Sequence, residues 1–195
     1  MMRTAVLTLL TALALIAPPA GHTAVITFHA DLIGANEVPP VDSPGSGFVV
    51  VTVDDVANTI HFDANFSSLL APTTAAHIHC CTPPGANQPV AVGPGTLPSF
   101  PLGVTSGTYD FTLDLLAAGT YTLDFINNFG GGTVGGARDA IIQHLIAGET
   151  YFNIHTEMFR GGEIRGQLMR VPEPASLALL GIALASLAAI RRRKQ

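Results

Sequence analysis

His77 and His79 flank Ile78 in the string Ala75-Ala76-His77-Ile78-His79, and His155 closes a second string, Tyr151-Phe152-Asn153-Ile154-His155. On an extended strand alternate side chains share a face, so His77 and His79 point one way and Ile78 points to the core. In the second string Tyr151, Asn153 and His155 share a face opposite Phe152 and Ile154. If the two strands lie together, three imidazoles converge. Neutral imidazole suits Zn or Cu, and three histidines with an open fourth position are a known catalytic-zinc arrangement. His61, on the polar face of another expected strand, is a candidate fourth ligand. The same rings also suit a plainer role, hydrogen bonding to a loop such as 83–103 that crosses a polar face.

Cys80-Cys81 follows the histidine pair directly. Three states are open: a disulfide between neighbours, an intermolecular bridge, or thiolates that join His77 and His79 at a metal, where soft sulfur favours Cu(I) or Zn. Asn36-Glu37-Val38-Pro39-Pro40 reads as a strand terminator, with a stiff binding loop as the alternative. Glu163 and Arg165, two residues apart on one strand face, suit a modest exposed ion pair. No Ca²⁺ loop of the D-x-[DN]-x-[DN]-G type is present, nor a Walker A, H-E-x-x-H, G-x-G-x-x-G or G-x-S-x-G motif. No general base or substrate pocket can be named, so the sequence supplies no catalytic set.

The elements that must position these residues are mostly strands. Period-two alternation runs through 58–66, where Ile60, Phe62, Ala64 and Phe66 share a face, and through 108–115, where Tyr109, Phe111, Leu113 and Leu115 do. Residues 47–53, rich in Val and Thr, suit a buried strand, and 121–126, 150–156 and 163–168 are further strand candidates. Gly- and Pro-rich stretches at 39–47, 83–103 and 130–136 mark loops. From Thr133 to Gly148, Val134, Ala137, Ile141 and Leu145 recur at helical spacing, with Thr133 as N-cap and Gly148 just past the end. The expected fold is all-β, a β-sandwich or barrel-like single domain with one short helix.

The chain has 195 residues, 48% hydrophobic and 12% charged, with no Trp and a formal charge of −5. That length favours one domain. The apolar excess sits at the two ends; the stretch 25–171 holds four arginines, no lysine and thirteen acids. A nucleic-acid partner is excluded by that balance, because phosphate binding needs clustered basic side chains. Residues 1–24, with Arg3 ahead of an apolar run, read as a signal peptide for Sec-type export. Residues 172–195 hold Pro172-Glu173-Pro174, an apolar run over 175–190 and a basic end at 191–194. As a helix that run spans about 24 Å against a hydrocarbon core of about 30 Å, a marginal single span with its basic end on the cytoplasmic side.

Two resemblances follow from the spelling. The string Val171-Pro172-Glu173-Pro174-Ala175, the apolar run and the basic end resemble the PEP-CTERM sorting signal of Gram-negative bacteria. That resemblance implies an exosortase partner and release or attachment at the cell exterior, with the tail in the membrane at least transiently. Phe28-His29-Ala30-Asp31-Leu32, Gly34-Ala35-Asn36-Glu37-Val38-Pro39-Pro40, Ala75-Ala76-His77-Ile78-His79, the 147–156 string and Gly162-Glu163-Ile164-Arg165-Gly166-Gln167-Leu168 occur in one order. Together they resemble the CHRD domain, over about 26–169. The resemblance implies an exported, mostly β domain and no particular reaction. The expected function is a non-enzymatic binding or structural module at the cell surface or in the matrix, with an extracellular polysaccharide or protein as ligand. A Zn or Cu protein, or a metalloenzyme, using His77, His79 and His155 is the alternative.

Overall fold

The computed structural model describes residues 25–172; the expected signal peptide and the tail beyond Pro172 lie outside the described residues. Its elements are β1 (Val25–Ile33), β2 (Ser46–Asp54), β3 (Thr59–Ser67), β4 (Thr73–Cys80), β5 (Val90–Val92), β6 (Gly107–Asp114), α1 (Leu123–Asn128), α2 (Val134–Ile146), β7 (Thr150–Thr156), β8 (Ile164–Gln167) and β9 (Met169–Arg170). The strands form one antiparallel sheet in the order β5-β4-β7-β8-β1-β2-β3-β6, with β9 pairing β1. The architecture is thus all-β and barrel-like, as a curled half-barrel.

Alternation explains the sheet. In β1 the residues Ile26, Phe28, Ala30 and Leu32 are buried, and in β3 so are Ile60, Phe62, Ala64 and Phe66, while their neighbours face outward. β1 and β2 pair without a slip from Val25↔Asp54 to Ile33↔Ser46, and β2 and β3 from Ser46↔Ser67 to Asp54↔Thr59. One slipped residue would turn every apolar side chain outward, so register is strongly specified. β2 is one-sided rather than buried throughout: Val49, Val51 and Val53 are inside, while Phe48 and Val50 are not. The β2–β3 turn is held by Asp54, whose Oδ1 accepts from the backbone N–H of Val56 and Ala57 at 3.0 and 2.8 Å.

Curling is visible in the core. Phe62 of β3 and Phe152 of β7 have three strands between them in the sheet, yet their ring centroids lie 6.2 Å apart. In a flat sheet four strand spacings would separate those backbones by about 19 Å. α2 joins the same core through Ala137, Ile141 and Leu145. Its start and end match the sequence pattern: the Thr133 hydroxyl accepts from Gly136 N at 3.0 Å, and Gly148 adopts φ +71° just past the end. Gly136 is required inside the helix because a Cβ there would run into the Gly130 carbonyl.

Of the segment 121–126, expected as a strand, only Tyr121 bridges to the sheet, at Val92, and Leu123 onward is α1. Thr122 caps it by accepting from Phe125 N at 3.2 Å, and Phe125 and Ile126 are buried while Leu123 is exposed. Local capping chemistry therefore outweighs the β-leaning composition of Tyr121 and Thr122. Since Phe62 is fully buried and touches rings from two other strands, Phe62→Ala is expected to lower unfolding free energy by about 3–5 kcal/mol, read from urea denaturation.

Candidate metal centre

β4 and β7 differ from the outer strands because both of their faces are buried. Ala76, Ile78 and Cys80 of β4 and Phe152 and Ile154 of β7 face the core. The other face carries His77, His79, Tyr151, Asn153 and His155, all at or below 8% exposure. Antiparallel register sets His77 opposite Asn153, His79 opposite Tyr151, and His155 opposite Ala75. Because Ala75 is small, the His155 ring has room to lean diagonally to His77, and their centroids are 4.9 Å apart. His79 lies 5.7 Å from each of the other two rings. The three histidines singled out by spacing therefore meet, and one ring nitrogen of each lies within 4.8 Å of those of the other two.

Each ring is oriented by a loop carbonyl. His77 Nε2 lies 3.0 Å from Gly95 O, His79 Nδ1 2.6 Å from Gln88 O, and His155 Nδ1 2.9 Å from Arg160 O. A carbonyl only accepts, so these nitrogens carry the protons and donate. The nitrogens left over, His77 Nδ1, His79 Nε2 and His155 Nε2, are buried and without a protein partner. Loop anchoring thus accounts for half of the cluster's nitrogens.

Burial holds the rings neutral. Desolvation brings His77 down to about 4 from its usual 6.5, against the raising effect of the Gly95 bond, with His155 adding a smaller lowering effect. His79 is also lowered to about 4, mainly by burial, and His155 is lowered for the same reason. Around the rings lies a polar layer. Tyr151 stacks on His79 at 4.7 Å and 3°, Arg165 sits 4.6 Å over the Tyr151 ring, and Gln88 N donates to Tyr151 Oη at 3.0 Å. Arg165 Nε donates to Asn36 O at 2.6 Å and lies 3.7 Å from Glu37 Oε2. Gly162 makes this closeness feasible, since a Cβ there would lie 2.6 Å from Glu37 Oε1. Glu37 and Asn87 line a cleft of about 420 Å³, and Tyr151 and Arg165 one of about 260 Å³.

Other expectations are corrected. His61 is not part of the cluster; it sits on the outer face of β3, 3.2 Å from Asp110. Cys80 and Cys81 are joined to each other, and Cys80 points to the core, so no sulfur reaches the three imidazoles. Glu163 and Arg165 are neither exposed nor an ion pair, because the 34–45 loop covers them. Glu163 accepts from Ser43 Oγ, Leu70 N and Thr156 Oγ1 at 2.6, 2.7 and 2.7 Å. Glu37, read as part of a strand terminator, is 4% exposed and faces Arg165. Nothing in the local pattern marks an acid between Asn36 and Val38 as buried.

Residues 28–168 match the CHRD domain, and residues 170–194 match the PEP-CTERM protein-sorting motif. The chain belongs to the CHRD domain family. No curated protein and no solved structure matches it. The CHRD domain is followed by a sorting motif that implies recognition by an exosortase and export to the cell envelope or surface. Pro172 is the last described residue of that motif; Glu173, Pro174 and the apolar run lie outside the described residues. Among the described residues no helix is long and apolar enough to cross a membrane.

The titrations of this CHRD face run in opposite senses. The unfolded chain protonates His77 and His79 below about 6.5 and the folded one only below about 4, so their contribution is whole above 6.5 and is lost as pH falls through that window. Burial raises Glu37 to about 7 from 4.5, so its contribution is whole below 4.5 and is lost as pH rises through 7. Urea midpoints of the metal-free protein between pH 4 and 8 are therefore expected to fall more steeply on the acid side in Glu37→Gln. They should flatten there in His77→Ala/His79→Ala.

Proposed function

We propose that this exported CHRD protein is a non-enzymatic metal-binding module, holding one Zn or Cu ion on His77 Nδ1, His79 Nε2 and His155 Nε2. One observation carries the reading: three buried imidazoles each donate one N–H to a backbone carbonyl and leave the other nitrogen without a partner. Metal-ligating histidines commonly donate the second nitrogen in this way, which fixes tautomer and ring direction. A buried polar atom without a partner costs about 1–3 kcal/mol, and one ion relieves three such costs together. The donor set also speaks to the ion: neutral nitrogens with no carboxylate among them suit Zn²⁺ or Cu²⁺ rather than Ca²⁺ or Mg²⁺. In this reading the domain does its work outside the cell, where the sorting tail delivers it, and the signal peptide 1–24 and tail 172–195 are processed segments around the domain 25–171.

The test is metal content of the full chain purified without a metal-affinity tag, beside His77→Ala/His79→Ala/His155→Ala. The expected result is about one Zn or Cu per chain, absent from the variant. Adding the ion at about 100 times its Kd should raise stability by about 2.7 kcal/mol in the parent alone. No uptake of either ion by a folded parent would overturn the reading and return attention to polysaccharide or protein ligands. Processing has its own readout. Mass spectrometry of the native product should find residues 1–24 removed and the chain ending near Pro172.

A further inference from the structure

A second cluster of ligating side chains lies where β4 ends, β7 begins and the last turn of α2 arrives. Cys80 follows His79 on β4 and so leaves the strand on the opposite face; it pairs with Thr150 across to β7. Cys81 is bonded to it and only partly buried. His144, in the last turn of α2, brings a ring nitrogen within 4.8 Å of both sulfurs. Its Nδ1 lies 2.6 Å from Glu149 Oε2, so in the neutral ring Nδ1 carries the proton and donates it to the carboxylate, and the lone pair is on Nε2. The same carboxylate orientation is what a ligating histidine uses elsewhere.

We propose that the Cys80–Cys81 bond is a redox gate on a second metal site, in which the reduced pair and His144 Nε2 bind a soft or borderline cation such as Zn²⁺ or Cu⁺. The reductant is an external dithiol. Its thiolate attacks the more accessible sulfur, that of Cys81; the S–S bond breaks and Cys80 leaves as a thiolate that takes a proton. The second sulfur of the dithiol then displaces Cys81 and closes the reductant into its own disulfide. The protein gains two electrons and two protons, and metal binding later releases both protons. Once metal binding has released those protons, two thiolates stand beside Glu149 at the C-terminal end of a helix, where the backbone dipole is itself negative. That arrangement favours a cation, and sulfur with imidazole selects Zn²⁺ or Cu⁺ over hard ions. The site does not depend on the three-histidine reading, because its ligands lie on the other face of β4.

Co²⁺ is the probe, since thiolate ligation gives a near-ultraviolet charge-transfer band that imidazole ligation does not. The full chain is compared before and after treatment with a dithiol that is then removed without air. The expected result is no reactive thiol before treatment, two per chain after it, and a thiolate-to-cobalt band only in the reduced chain. His144→Ala should weaken Co²⁺ binding at that band by about tenfold or more, and Glu149→Gln by about tenfold with the band retained. Circular dichroism checks folding, and His144→Asn replaces the alanine variant if that fails to fold. A disulfide that the dithiol leaves intact in the folded chain would overturn the proposal. So would a reduced chain with no thiolate band, or a His144 variant with unchanged affinity.

Discussion

The structure depends on one constraint: a polar strand face has been buried. β4 and β7 are covered on both sides, and on one side the covered residues are His77, His79, Tyr151, Asn153 and His155. Hydrophobic burial cannot stabilise such a face, so the covering loops must supply hydrogen-bond partners. They do so with backbone carbonyls at Gly95, Gln88 and Arg160, one for each imidazole. A ring has two nitrogens on opposite edges. Anchoring one to a loop outside the cluster turns the other inward, and three inward nitrogens from two paired strands have only each other to face. Loop anchoring and metal binding are therefore not competing accounts of these histidines. The first produces the geometry that the second needs.

The loops must in turn be held against the sheet, and two further buried side chains do that. Glu163 joins the 34–45 loop through Ser43, the β3–β4 connection through Leu70, and β7 through Thr156. Arg165 joins Asn36 and Asn87, on loops from either side of the cluster, while its guanidinium covers Tyr151. Charge-assisted bonds of this kind are stronger than neutral ones, and removing one partner strands the others in a dry environment. Both residues come from β8 or its edge, next to β7 in the sheet. The imidazole-bearing surface thus takes its three rings from β4 and β7 and its support from the neighbouring strand.

How much of this was legible depends on the range of the interaction. Period-two alternation located β3, β6 and β7 within about a residue, and helical spacing with Thr133 and Gly148 bounded α2, because those signals are local. The convergence of His77, His79 and His155 was foreseen as a condition on strand pairing, and the register that fulfils it is a property of the whole sheet. Other features had no local trace. Thr122 is an ordinary strand residue until Phe125 N reaches its hydroxyl. Glu163 and Arg165 look exposed on an alternating strand until a loop more than a hundred residues earlier closes over them. Glu37 belongs to the same class, since only the fold brings it to Arg165.

Strand alternation also separates two chemistries that adjoin in sequence. The string His77-Ile78-His79-Cys80-Cys81 holds nitrogen and sulfur ligands within five residues, and in a flexible loop they would mix at one ion. On β4 they cannot. His77 and His79 leave on the loop-covered face, and Cys80 leaves on the core side toward α2. Nitrogen alone is offered on one face, and its donors are unchanged whether or not sulfur is oxidised. The sulfurs lie on the other side, beside His144 and a helix C-terminus, where their oxidation and reduction leave the imidazoles untouched. For a domain delivered to an oxidising exterior this matters. A mixed nitrogen–sulfur centre would lose its ligands on oxidation, whereas the three-imidazole face is indifferent to it.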